Sequence, residues 1–443
     1  MRDVWQFGSF KLDAVDRRLS KNGKPVALPP KAFDLLTILV KNGGKLVLRK
    51  TLLETVWGDA AVEDANLTNN ITALRKILGA PAITSVPKFG YRFCLPITAA
   101  RLLSPSASEV FREGQLQMAR RTSESVMSAR DSFWFVIAQE PRCAEAWAWL
   151  GRSCRFLEKF GVAREYHRDI AKAAFQQAFA LDPDLACTHQ FYTSFQVDRG
   201  EALAALQRLL RQIRQHRDEA HIFAALVQVC RFCGLLDASE AAHRRAAELE
   251  PGIATSVPHT YFALCDYHAV IESYAEVAQG ARGYLDLAAW SCLGSTERAC
   301  REASQRLAAG SPAPVFQALL RSLIASLRRD AREVQRICLS ENLYEDPESA
   351  LYFARHLAYS GCDRDALDFL RRAVNGGLAV PEMLEQDPWL TSLWSYGEFQ
   401  EVLRQARVLR ERGERYLLRA RVSQIMFAPK PRGARVGRSP SGS

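Results

Sequence analysis

The chain has 443 residues, 48% apolar and 24% charged, with a net charge of +10. That length exceeds one ordinary core, so two or more domains are expected, and the apolar fraction is that of a folded chain. No apolar run approaches the roughly 18 residues of a membrane helix, and Met1-Arg-Asp-Val-Trp5 lacks the apolar stretch of a secretory signal, so a soluble cytoplasmic protein with no membrane partner is expected.

The charge is unevenly placed. Residues 1–98 carry 15 Lys/Arg against 8 Asp/Glu, residues 404–443 carry 11 against 2, and the stretch between them is left at −6. A basic N-terminal part points to a polyanionic partner; an acidic middle argues against nucleic acid running along the whole chain. The 11 cysteines are odd in number and irregularly spaced, the pattern of reduced thiols. Cys230-Arg-Phe-Cys233 has no second pair beside it, so neither a metal nor a redox cofactor is expected.

Taken in order, Trp5 to Leu12 alternates as a strand does, and Arg18 to Leu28 folds about Asn22-Gly23, a pair suited to a tight hairpin turn. Pro29-Pro30 opens a helix with Phe33, Leu36, Leu39 and Val40 inward, stopped at Gly43-Gly44. Arg49 to Trp57 is a second, short helix, followed by a loop over 58–65. Residues 66–78 form the third. Leu67, Ile71, Leu74 and Leu78 make its apolar stripe, leaving Asn69, Thr72, Ala73 and Lys76 opposite and Arg75 at the edge. That face has no acid between 66 and 78, and its Asn, Thr, Lys and Arg suit base edges and phosphates; a plain solvated helix face is the alternative. Ala82 to Phe93 is a β-hairpin with a basic tip at Pro87-Lys88-Phe89-Gly90.

Sheet, three helices and hairpin make a winged helix-turn-helix of α+β type. Residues 1–98 resemble the OmpR/PhoB-type DNA-binding domain of CadC/HilA-like regulators. The matching residues are Leu28 to Leu36, Trp57-Gly58, Val62-Glu63-Asp64, Ile71 with Leu74-Arg75-Lys76 and Leu78-Gly79, and Ile83, Val86 and Gly90-Tyr91-Arg92-Phe93. The resemblance implies that helix 66–78 enters the major groove of double-stranded promoter DNA and that the wing, 82–94, meets the adjacent minor groove or backbone. By position, Asn66, Asn69, Asn70, Thr72, Ala73 and Arg75 face the groove, and Lys76, Ser85, Lys88, Tyr91 and Arg92 serve phosphates or the wing. Arg75 as a helix anchor, and Tyr91 as wing packing, are the structural alternatives. Loop 58–65 matches the segment that touches RNA polymerase in the family, with a plain connection as an equal alternative. Head-to-tail homodimers on tandem half-sites are also implied. Asn and Thr stand where family members often carry arginine, so an A·T-rich site is expected.

Residues 99–108 read as a linker and 109–403 as an all-α, tetratricopeptide-like superhelix. Repeats are clearest at Trp147-x-x-Leu150-Gly151, at Phe223 to Pro251 and at Ala350 to Ala373, looser over 109–141 and 189–217, and of unclear phase over 255–340. A concave groove is expected to take an unidentified protein or small-molecule effector. Residues 404–428 extend the last helix as a basic segment, and 429–443 form a disordered basic tail, read as a solubilising end with added phosphate affinity as the alternative. No GxxxxGK[ST], HExxH or GxSxG occurs, so no catalytic residue set and no enzyme activity are expected. A DNA-binding transcription regulator is the leading reading, cytoplasmic and on the nucleoid when bound. An adaptor whose winged helix makes protein contacts is the other.

Overall fold

The computed structural model describes residues 4–14, 16–21, 24–58, 64–99, 104–274, 283–309, 314–340 and 346–421. The Asn22-Gly23 turn, most of loop 58–65 and everything from 422 on lie outside them. The chain divides into two compact units, Met1–Ser108 and Glu109–Ser443.

The first unit begins with β1 (Val4–Phe7), β2 (Phe10–Asp13), β3 (Arg18–Lys21) and β4 (Lys24–Val26). Then come α1 (Pro30–Lys41), β5 (Val47–Leu48), α2 (Arg49–Trp57) and α3 (Asp64–Leu78). A 3-10 turn at Ala80–Ala82 leads into β6 (Ile83–Val86), β7 (Gly90–Phe93) and β8 (Thr98–Ala99). One antiparallel sheet has the order β4-β3-β2-β1-β8 and the other β5-β7-β6. This is a winged helix. Strands β5 and β8 are two residues each, too short to show alternation, so sequence periodicity misses them. Thr98 pairs with Gln6, so the chain crosses back to the first sheet after the wing.

The stripe read from the sequence is the buried one: Leu67, Ile71, Leu74 and Leu78 face the core, at about 1.5–3 kcal/mol for each fully buried side chain. They meet Leu35, Leu36 and Leu39 of α1 in one cluster with Phe7 and Phe93, whose rings sit edge-on at 4.9 Å and tie the first sheet to the wing. Gly90 allows the third wing strand. A Cβ there would stand 1.9 Å from the Val47 carbonyl oxygen, so any side chain would push β5 off β7.

The second unit is all helical over its described residues. Its helices come in consecutive antiparallel pairs: α4 (Pro105–Arg120) with α5 (Ser123–Gln139), α6 (Ala144–Lys159) with α7 (Arg164–Leu181), α8 (Ala186–Val197) with α9 (Ala202–Gln215) and α10 (Ala220–Phe232) with α11 (Leu236–Leu249). Next are α12 (Val257–Ala263) with α13 (Tyr267–Ser273), α14 (Leu285–Cys292) with α15 (Thr296–Ala308), α16 (Pro314–Leu327) with α17 (Ala331–Cys338) and α18 (Pro347–Tyr359) with α19 (Asp363–Asn375). The array ends with α20 (Pro381–Gln386), a 3-10 turn (Pro388–Leu393) and α21 (Gly397–Ala420).

This is a tetratricopeptide-like array. Its three clearest sequence repeats are the pairs α6/α7, α10/α11 and α18/α19. Gly151 does what a small residue does in such a pair: a Cβ there would lie 2.8 Å from the Phe175 ring. The unclear phase over 255–340 has a physical source, since α12 and α13 are only seven residues each. One boundary moves. Residues 105–108, expected within the linker, are the first turn of α4. The segment from 404 continues the last helix as expected, but its helix ends at Ala420, with residues from 422 outside the described ones.

The C-terminal helices also fold back on the early pairs. The Ala379 amide donates to the Phe232 carbonyl at 2.7 Å. Lys159 bridges Asp198 (3.6 Å) and Asp346 (2.9 Å), and Arg231 pairs with Glu348. These contacts bring the stretch around α18–α20 against α6, α8 and α10. None of the described helices is long and apolar enough to cross a membrane.

Candidate nucleic-acid interface

Helix α3 starts at Asp64, two residues earlier than the sequence suggests, so an acid does occupy its first turn. There it favours the positive end of the helix dipole, and the Arg49 guanidinium lies 3.5 Å away. Beyond that turn the outward face is free of acids. Asn66, Asn69, Thr72 and Lys76 are exposed, and Ala73 is half-buried between them. Asn70 is half-buried and its amide donates to the Asn66 carbonyl at 2.8 Å. The Thr72 hydroxyl donates to the Thr68 carbonyl at 2.9 Å, which leaves its oxygen able to accept.

Arg75 takes the anchoring alternative. Its Nε and Nη2 donate to the Ile83 carbonyl at 2.9 and 2.7 Å, and Nη2 also reaches Ser85 Oγ at 3.0 Å. A guanidinium fork on one carbonyl fixes direction as well as distance, so Arg75 locks the wing strand β6 to α3. Ser85 is exposed but serves as Arg75's acceptor. Tyr91 takes the wing-packing alternative: it is 4% exposed, because strand alternation turns Tyr91 inward and Arg92 outward.

The wing tip is built from Pro87 and Lys88 in a turn closed by the Phe89 amide donating to the Val86 carbonyl at 3.0 Å. Lys88 adopts φ +67°, a left-handed position that costs a non-glycine residue about 1–2 kcal/mol. Its exposed ammonium stands at the tip, and Arg92 is exposed on the strand behind it. Phe89 beside it is 59% exposed.

Two contributors escape sequence reasoning. The sequence places Phe89 in the tip with no role of its own, and its ring stands exposed there. Arg49 links three elements: it bonds Thr68 Oγ1 of α3 at 3.3 Å, approaches Asp64, and lies 5.5 Å from the Tyr91 ring of the wing. A signal was present, because a cation at the first residue of a helix opposes the dipole and implies a partner elsewhere.

Residues 23–93 match the family described as "Transcriptional regulatory protein, C terminal". The transcriptional regulator HilA of Salmonella typhi is 39% identical over 107 residues, covering 23% of this chain and 19% of that protein. The transcriptional activator CadC of Escherichia coli K12 is 33% identical over 100 residues, covering 21% and 20%. The solved DNA-binding domain of E. coli CadC is 28% identical, covers 22% of this chain and 95% of that chain, and superposes with a TM-score of 0.21. The chain thus spans about a fifth of the length of these curated relatives. The N-terminal unit of this chain is an OmpR/PhoB-type transcriptional-regulator domain, homologous to the DNA-binding domains of HilA and CadC.

Proposed function

We propose that the chain is a sequence-specific DNA-binding transcription regulator. Helix α3 lies in the major groove, the β6–β7 wing lies on the adjacent minor groove or backbone, and the helical array senses an effector or partner. The observation that carries this reading is the outward face of α3, where Asn66, Asn69, Thr72 and Lys76 stand exposed together while Arg75 is held by the wing. Asparagine pairs with adenine through both its amide groups, and the threonine methyl packs on thymine, so the site is rich in A·T. Lys88, Lys76 and Arg92 supply phosphate contacts. Head-to-tail pairing on tandem half-sites and a polymerase contact from loop 58–65 are further parts of the proposal.

The test is titration of the full chain with selected and scrambled duplexes over a salt series. A regulator binds its selected A·T-rich site well above competitor DNA and with steep salt dependence. Asn69→Ala relaxes the preference by about 1–3 kcal/mol at one base pair, and Lys88→Ala weakens binding to every sequence alike. A G·C-dominated consensus overturns the base assignment. Equal affinity for all sequences supports the adaptor reading instead.

A further inference from the structure

The far end of α21 carries arginines that no ion pair engages among the described residues. Upstream, its arginines are matched: Arg404 with Glu401 at 2.6 Å, Arg407 with Glu385, and Arg410 with Glu382 and with Glu414 at 2.9 Å. From Gly413, which packs 3.1–3.2 Å (as a Cβ) from Cys233, the pattern changes. Arg412, Arg415 and Arg419 are exposed, and among the described residues no ion pair engages them. At about 100° per residue they fall within roughly 60° of arc on one side of the helix, with Glu411 at the edge of that arc one turn before Arg415 and Glu414 on another side. At 1.5 Å per residue they span about 10 Å, the length over which one strand of a duplex presents about three phosphates.

A second helix adds to this end. Arg214 of α9 donates from Nη2 to the Ala420 carbonyl at 2.7 Å, which brings the C-terminal end of α9 beside that of α21. Arg211, one turn earlier on α9, is exposed as well. The nearby acid Asp218 is held by Arg245 at 3.2 Å. A unit whose sequence is acidic from 99 to 403 therefore gathers exposed guanidinium groups at one place.

We infer that the α21 stripe Arg412-Arg415-Arg419, with Arg211 and Arg214 of α9, is a second DNA contact that grips the phosphate backbone without reading sequence. It rests on the DNA-binding reading of the N-terminal unit. An anionic membrane is the poorer partner, because insertion needs an apolar face. The apolar side of α21, Phe399, Val402, Leu403 and Ala406, is buried within its own unit, which leaves only Leu418 exposed at 71% beside the arginines.

The experiment compares the full chain with its Arg412→Gln/Arg415→Gln/Arg419→Gln and triple Arg→Lys variants. Each binds the selected duplex and a scrambled duplex of the same length from 50 to 200 mM salt, with circular dichroism confirming the fold. Each lost phosphate contact removes about 0.9 from the log–log slope. The Gln variant is expected to lose about 2–3 from that slope on both duplexes and about tenfold in affinity at low salt, with the ratio between duplexes unchanged and the Lys variant like the parent. An unchanged slope in the Gln variant, with the parent still preferring its site, overturns the inference and leaves the DNA reading intact. A parent with no preference, whose salt slope still falls in the Gln variant, overturns sequence reading and keeps the backbone contact. If the Gln variant instead loses only binding to phosphatidylserine vesicles, the surface is a membrane contact and the inference falls.

Discussion

The two units treat charge in opposite ways. Every buried polar or charged side chain among the described residues, tyrosine aside, lies in the second unit. The ion pairs of the winged helix are few and solvent-facing, such as Arg17 with Asp34 and Lys50 with Glu54. Its core is apolar, and cations such as Lys76, Lys88 and Arg92 stand exposed. The helical array instead buries Arg231, Arg355, Asp286, Asp387 and His356. Apolar faces alone do not tell an array which distant element should dock, because each pair is packed only by its neighbours. A buried pair such as Arg231 with Glu348 is satisfied in one arrangement only, and both it and the Lys159 bridge hold α18 against the early helices.

The largest expected effect breaks such a pair. Arg355 and Asp387 are both fully buried. Asp387 also accepts the Trp389 amide at 2.9 Å, and Arg355 Nη2 reaches Cys292 Sγ at 3.1 Å. Asp387→Ala leaves a guanidinium uncompensated and should cost the second unit about 3–5 kcal/mol in denaturant unfolding. Replacing both partners with apolar residues of similar volume should cost far less. Equal losses in the single and double variants would show that packing, and not the charge, holds this contact.

Acid should separate the units next. All eight histidines lie between His167 and His356. His189 is pushed down to about 4 by burial and then by Arg208. Arg208 Nη1 donates to its Nδ1 at 2.5 Å, while Nε2 bonds the Pro183 carbonyl at 2.9 Å. Protonation would remove the acceptor and set two cations together. The folded value lies below the unfolded one of about 6.5, so the stabilisation is complete above that pH and is lost as pH falls towards 4. His189 alone contributes about 3 kcal/mol to this loss, and His356, held neutral by burial and by Arg355, acts in the same sense. Unfolding midpoints at pH 7, 6 and 5 should fall for the array and hold for the histidine-free winged helix. A parallel fall of both would remove the contrast.

The third effect lies in the wing. Gly90→Ala should destabilise the first unit by about 1–3 kcal/mol, the usual range for overpacking, because the new Cβ would meet the Val47 backbone. Melting of the winged helix with the array's transition unchanged is the expected signature, and an unchanged first transition would mean that β5 moves aside freely.

Much of the winged helix is legible in its sequence because each element carries a local mark: the 4-3-4 spacing from Leu67 to Leu78, the prolines before α1, and Gly90-Tyr91-Arg92 in the wing. What escaped depends on contacts distant in sequence. Nothing near Leu48 in the chain shows that it pairs with Gly90. The array was legible where helices are long and small residues are spaced regularly, as at Gly151 and Gly234. Its return of α18–α21 onto α9 and α10 was not. That closure rests on ion pairs between residues more than a hundred positions apart, as with Arg231 and Glu348, and charge periodicity within either helix does not record it.

The smallest effect sharpens the division of labour on α3 itself. Arg75→Lys keeps the charge but loses the planar fork, and a single ammonium cannot reproduce two bonds to the Ile83 carbonyl together with one to Ser85. The first unit should lose about 1 kcal/mol as the wing loosens from the helix. The base preference of the DNA site should stay the same, because Asn66, Asn69 and Thr72 keep their places on the exposed face. Lys88 rides on the loosened wing, so affinity should fall modestly and equally for all sequences. Binding-site selection with this variant is the decisive measurement. An unchanged consensus separates Arg75 from the reading face, whereas a changed base at one position would return it to the groove and leave the anchoring bonds as a feature of the unbound protein.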